Sequence, residues 1–179
     1  MALTLLTGPA ASGKSRLAAE LAAGWQGRVD VVATAEGLDE EMRARIERHR
    51  AERPGGWRVW EEPLDLEGAL GRVAPDAFAI VDCLTLWTSN LLGAGGRPDR
   101  VVGFAHDAAG VAAARIASTV VVTNEVGWGI VPVNDLARSY RDLLGRVNAA
   151  FADRADRVWL VVAGRVMPLL PADEAGLLA

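Results

Sequence analysis

The sequence predicts an α/β protein, a mainly parallel β-sheet with helices on both faces. Three features predict it: five continuous apolar segments of strand length, helical segments alternating with them, and a glycine-rich turn between the first strand and the first helix. Strands covered on both faces carry near-continuous apolar runs, whereas a strand with one wet face alternates. Strands that alternate with helices make parallel crossover connections, and the ligands of such sheets gather at the carboxyl ends of the strands.

Each element follows in chain order. Ala2–Leu6 is an apolar run of strand length, and the Ala- and Leu-rich segment Arg16–Ala23 has a helical pattern. Arg28–Ala33 reads as a strand, Asp39–Glu52 as a helix and Phe78–Cys83 as a strand. A helix from Leu84 to Leu92 ends at the Gly-rich break GAGGRPD. Beyond it come a helix at Val102–Ile116, a strand at Thr119–Thr123, a helix at Asp135–Ala152 and a strand at Arg157–Ala163. No internal repeat is present. Residues 1–170 are expected to form a single domain, and PADEAGLLA, residues 171–179, a loosely held tail.

A chain of 179 residues with 51% hydrophobic content is long enough for one such domain with a sizeable core. A net charge of −4 argues against a broad nucleic-acid or anionic-membrane footprint, so nucleic acid is not an expected partner. No window reaches the roughly 18 apolar residues needed to span a bilayer. The short N-terminal apolar run also lacks the basic flank of a signal peptide, and the expected location is cytoplasmic. A single cysteine, Cys83, cannot form an internal disulfide and follows a buried-looking strand, which points to a packed thiol. With only 2 histidines, no zinc-ligand cluster is expected.

Of the 19 Lys and Arg residues, Lys14 is the only lysine, and it stands in Gly8-Pro9-Ala10-Ala11-Ser12-Gly13-Lys14-Ser15. This stretch fits G-x-x-x-x-G-K-[ST] in its confirming context, between a strand and a helix. Glycines let the loop turn its N–H groups inward around phosphates, and the helix N-terminus adds the positive end of its dipole. Lysine suits the position because a compact, flexible ammonium can follow a phosphoryl group, whereas the planar arginine fork prefers a fixed bidentate partner. Lys14 is therefore expected to reach the β/γ-phosphates of a nucleoside triphosphate, and Ser15 to offer its hydroxyl to Mg²⁺.

Other candidates sit at strand ends and on one helix. Asp82 ends an apolar strand, where a second acidic group of phosphate-loop enzymes holds Mg²⁺, and where an aspartate can also cap the next helix. In LDEEMRARIERHRAERP, the residues Leu38, Met42, Ile46 and His49 recur at helical spacing, which puts the histidine on the apolar edge. Arg45, Arg48, Arg50 and Arg53 around it suit an incoming polyphosphate or a solvated face paired with Asp39, Glu40, Glu41 and Glu47. His106 lies in an Ala/Gly-rich segment without such neighbours and reads as structural. Asn124 and Glu125 leave a buried strand at the end where sites form, so a substrate or metal contact competes with a turn-forming role. Trp128, between two glycines, is expected to contact a ligand or a partner subunit, or to cover the core.

Taken together, TGPAASGKSR, VVATAEGLDEEMRARIERHRAERP, WRVWEEP, VDCLTLWTSNLL, VTNEVGWGIVP and GRVNAAFADRADRVWLVVAG resemble one family in order and spacing. It is the bifunctional adenosylcobinamide kinase and adenosylcobinamide-phosphate guanylyltransferase family of cobalamin synthesis. The resemblance spans nearly the whole chain and implies a phosphate-loop NTPase fold of the RecA-like kind. It also implies phosphorylation of the corrinoid's aminopropanol hydroxyl, then transfer of GMP from GTP to that phosphate through a guanylylated histidine, releasing pyrophosphate. Family members often carry two adjacent histidines in this helix; the first position here is Arg48, which leaves His49 as the nucleophile. By the same resemblance Ala33, Thr34, Ala35, His49, Arg50, Ala51, Glu52, Glu61 and Asp82 line the nucleotide site. GTP and ATP are the implied substrates beside the corrinoid, with Mg²⁺ or a similar cation, and a homotrimer is the implied assembly. A plain small-molecule kinase is the rival within enzymes. A nucleotide-switch protein is the rival outside them, but its N/T-K-x-D guanine motif needs a second lysine that the chain lacks.

Overall fold

The protein is described by a computed structural model covering residues 2–176. Its strands are β1 (Leu3–Thr7), β2 (Val29–Ala33), β3 (Arg58–Glu61), β4 (Phe78–Asp82), β5 (Thr119–Val122), β6 (Arg157–Val162) and β7 (Arg165–Leu169). They form one 7-stranded sheet in the order β3-β2-β4-β5-β1-β6-β7. Every pairing is parallel except that of β6 with β7, which is antiparallel.

The helices are α1 (Lys14–Ala23), α2 (Glu40–Glu52), α3 (Leu66–Arg72), α4 (Leu84–Gly93), α5 (Pro98–Ala114) and α6 (Asp135–Ala152). Because successive strand residues face opposite ways, the sheet feeds two separate cores. On one face, Leu5, Val81 and Val121 meet Leu70, Trp87, Val101, Leu143 and Phe151 from α3 to α6 or their neighbours. On the other, Leu6, Val31, Ile80 and Val122 meet Ala18 and Ala22 of α1, whose small side chains let that helix approach closely. No described side chain of α2 belongs to either core.

The mainly parallel, doubly covered sheet agrees with the sequence pattern, while three elements go beyond it. The strands β3 and β7 lie at the two edges of the sheet, and α3 connects β3 to β4. An edge strand needs no continuous apolar run: β7 is exposed along its whole length and contains Pro168. Boundaries also shift. α1 begins at Lys14 rather than Arg16, because Gly13 turns left-handed at φ 100° and releases the chain straight into the helix. α5 begins at Pro98 rather than Val102, with proline at the first helical position, where its missing N–H costs nothing. Leu38 lies before the N-cap Asp39 of α2 and is exposed, so it does not extend the apolar edge of that helix. Of the expected tail, residues 177–179 fall outside the described residues.

Candidate active site

The phosphate loop joins β1 to α1 at the carboxyl end of the sheet. Gly8 has φ 141°, and a Cβ there would stand 2.3 Å from the carbonyl oxygen of Val161 in β6, so only glycine fits. Ala10 and Ala11 form the exposed tip, and the backbone N–H of Gly164, in the β6–β7 turn, donates to the Ser12 carbonyl at 2.9 Å. Lys14 is buried, and its ammonium donates to the carbonyls of Gly8 (3.1 Å) and Pro9 (2.7 Å) and to Ser12 Oγ (3.3 Å). Burial pushes the Lys14 pKa down from its usual value, against the opposing pull of the Asp82 and Glu125 carboxylates. Asp39, Asp65 and Asn134 cap α2, α3 and α6 with side-chain oxygens, whereas α1, like α4, has no side-chain cap and no acid in its first turn. At the end of a glycine-rich loop, an uncapped helix start of this kind suits an external anion.

Asp82 does not cap α4, whose N-cap is Cys83. Its carboxylate instead accepts from Ser15 Oγ at 3.2 Å, while its other oxygen lies 3.8 Å from His49 Nδ1 and 3.8 Å from an Arg53 nitrogen. Ser15, Asp82, His49 and Arg53, which are far apart in sequence, thus converge. Burial lowers the Arg53 pKa, with Asp82 opposing. Arg45 and Asn124 complete the wall of the cleft over the loop.

A second cleft lies beyond His49, between α2 and the ends of β2 and β3. Ala33, Ala35, Met42, Ile46 and Val59 give it apolar walls, with Arg50 and Glu61 at the rim. Arg50 pairs with both Glu61 and Glu47, and the Glu61 hydrogen bond is the main cause that raises its pKa. Thr34 is fully buried, and its hydroxyl donates to the Cys83 carbonyl (2.7 Å) and accepts from the Cys83 N–H (2.9 Å). Ala51 and Arg48 are exposed on α2, and the Glu52 side chain lies outside what is described.

The remaining candidates divide. Asn124 donates from its backbone and side-chain nitrogens to Thr85 Oγ1, at 3.0 and 3.1 Å. Glu125 accepts from Thr7 Oγ1 at 2.7 Å and from Asn148 Nδ2 at 3.1 Å. Trp128 stands exposed on the β5–α6 loop, and His106 is exposed on α5, outside both clefts. Burial raises the Cys83 thiol, consistent with a packed residue. Thr7, Thr85, Asn148 and Val59 were not legible as site residues; Asn148 alone left a trace, an amide among the core positions of an apolar helix face.

Residues 4–169 match the family described as cobinamide kinase / cobinamide phosphate guanyltransferase. The chain belongs to that family. It is 44% identical over 169 residues to the bifunctional adenosylcobalamin biosynthesis protein CobP of Pseudomonas aeruginosa, covering 92% of this chain and 95% of that one. With the bifunctional adenosylcobalamin biosynthesis protein CobU of Salmonella typhimurium it shares 43% over 175 residues, 90% of this chain and 96% of that one. Among solved structures, a prototypical ATPase of the type III secretion system of pathogenic bacteria superposes with a TM-score of 0.55 at 14% identity. That match covers 89% of this chain and 50% of the other, and it concerns the phosphate-loop NTPase fold alone. Like its family, the protein is a cobinamide kinase and cobinamide phosphate guanylyltransferase. No helix among the described residues is long and apolar enough to cross a membrane.

Proposed function

We propose that both reactions run at this one site, with the phosphate loop holding the triphosphate and His49 carrying GMP. The observation that supports it is the convergence of His49, Ser15 and Asp82 beside a loop whose helix start has no side-chain cap. In guanylyl transfer, an imidazole nitrogen of His49 attacks the α-phosphorus of GTP. An N–P bond forms, the bond to the bridging oxygen of the β-phosphate breaks, and pyrophosphate leaves with its charge held by Lys14 and the loop N–H groups. The Asp82 carboxylate lies 3.8 Å from Nδ1, and Nε2, the other ring nitrogen, is assigned here as the attacking atom. An oxygen of the corrinoid phosphate then attacks the same phosphorus, the N–P bond breaks and the imidazole is regenerated. Kinase chemistry needs positioning and charge neutralisation at the loop, not a covalent intermediate.

Mg²⁺ fits the residues present. Ser15 Oγ and Asp82 offer hard oxygens side by side, and no group of three or more His, Cys, Asp or Glu among the described residues competes as a protein-only cage. That donor set suits an ion that keeps water and substrate phosphates as its other ligands. When bound it would neutralise phosphate charge. GTP serves as guanylyl donor, and ATP or GTP as phosphoryl donor. The homotrimer is carried over from the family resemblance; the exposed apolar side chains on the β5–α6 loop, where Ile130 is 98% and Val133 97% exposed, fit a protein contact there without fixing the number of copies.

The deciding experiment incubates the protein with GTP labelled at the α-phosphate. Acid-labile, base-stable label on the chain, lost in His49→Asn, is the expected result. Label retained in that variant would exclude His49, and absence of label on the parent protein would leave a kinase without the covalent route.

A further inference from the structure

The phosphate loop is held from behind by a polar chain that the two reactions do not explain. Asn148 lies on the core face of α6, between Val147 and Phe151, and is 7% exposed. An amide at such a position costs free energy unless its donors and acceptor are matched. Here they are. Its oxygen accepts from Thr123 Oγ1 at 2.6 Å, and its nitrogen donates to the Asn124 carbonyl and to Glu125 Oε1, both at 3.1 Å. That same Glu125 oxygen accepts from Thr7 Oγ1, in the last residue of β1, at 2.7 Å. The Glu125 backbone N–H donates to the carbonyl of Gly8 at 3.0 Å, and Lys14 Nζ donates to that carbonyl at 3.1 Å. Asn124, next in the chain, faces the cleft over the loop.

We propose that Asn148 is a positioning residue for the nucleoside triphosphate: through Glu125 it fixes the end of β5 against Thr7 and Gly8 and so sets the shape of the cradle in which Lys14 works. The residue touches neither nucleotide nor reacting atoms and acts through Glu125 and the Gly8 carbonyl. The chain of bonds accounts for a carboxylate directed inward at the start of an anion-binding loop, where an unpartnered one would oppose phosphate. Glu125 spends its charge on Thr7 and Asn148 and lies near enough to Lys14 to favour the ammonium form. This inference rests on the nucleotide-binding reading of the loop.

The test is a double-mutant cycle read by binding of a non-hydrolysable GTP analogue, with thermal midpoints recorded for each variant. Asn148→Asp removes both donors and sets a second carboxylate against Glu125. It is expected to weaken analogue binding by about tenfold or more, since hydrogen bonds to charged groups are among the stronger ones. In the double variant Asn148→Asp with Glu125→Gln, the new amide at 125 can donate to the new carboxylate at 148. Binding should recover severalfold over Asn148→Asp alone, which a general loss of stability would not produce. Thr7→Val cuts the same carboxylate from the β1 side without touching α6, and it should weaken binding in the same direction even if Asn148→Asp fails to fold. Unchanged affinity in Asn148→Asp or in Thr7→Val, or no recovery in the double variant, would overturn the proposal. Failure of the parent protein to bind the analogue would instead overturn the nucleotide-binding reading beneath it.

Discussion

The two halves of the candidate site are built differently, although both present basic side chains to the cleft over the loop. On the loop side, α1 buries Lys14, Ala18 and Ala22 against the sheet, and the loop is tied to β5 and to the β6–β7 turn by backbone hydrogen bonds. On the α2 side, no described residue of the helix is buried: Met42, Ile46 and His49 are half-buried and the rest exposed. The helix is held at its start by Asp39, which accepts from Met42 N at 2.7 Å, and by Arg43, which donates to the Gly37 carbonyl at 3.0 Å. At its end it is tied to β3 by the exposed Arg50–Glu61 pair, a kind of contact that contributes little, and its C-cap residue Arg53 lies 3.8 Å from Asp82. The loop half is therefore preorganised for phosphate, whereas the histidine half rests on a few rim contacts and has low local stability. On the proposed assignment, the charge needed by both reactions is fixed in the core and the group needed by one of them is carried at the periphery.

The largest expected effect comes from breaking the fixed half. Lys14→Ala should lower both phosphorylation and guanylyl transfer by on the order of 10²–10³-fold, as loss of a preorganised charge does, measured as separate steady-state rates. A variant that kept full guanylyl transfer would show that the halves do not share one triphosphate cradle. His49→Asn should split the activities instead. Guanylyl transfer falls to background while the corrinoid is still phosphorylated within about threefold of the parent rate, because phosphoryl transfer needs no nucleophilic side chain. Equal losses in the two assays would mark His49 as a packing residue. A smaller difference should appear in native-state hydrogen exchange, where amides of α2 exchange faster than those of α1 through local opening. Equal protection would remove the contrast in stability.

The smallest effect concerns pH. Because burial lowers the folded-state pKa of Lys14, the native chain binds fewer protons at this group than the unfolded chain in the alkaline range. Its cost to stability is fully present below the folded pKa and is relieved as pH rises towards the model-compound value of 10.5. Denaturant titrations should show the parent protein gaining stability relative to Lys14→Met over that interval, and no relative gain would contradict the lowered pKa.

The same contrast decides what the sequence made legible. The loop motif is local, so eight consecutive residues, 8–15, were enough to predict a loop between a strand and a helix, which is where the fold has it, between β1 and α1. The strands β1, β2, β4 and β5 were legible because both of their faces are covered, and β3 and β7 escaped because edge strands tolerate Arg58, Arg165 and Pro168. α3 escaped because seven residues that include Gly68 and Gly71 carry almost no periodic signal. His49 shared its spacing with Met42 and Ile46, and helical period alone does not separate a nucleophile from packing. Only the fold shows Asp82 meeting Ser15 and His49, and Asn148 meeting Glu125, since contacts between distant residues leave no local pattern in the chain.

The two edges of the sheet have a consequence for how copies of the chain can associate. Along β7, Pro168 removes a backbone donor from the outer row, and along β3 the charged ends Arg58 and Glu61 stand exposed. Neither border offers the long, uninterrupted ladder that another copy's strand would need in order to continue the sheet. Open-ended, fibre-like continuation of the sheet from one copy to the next is therefore disfavoured at both borders.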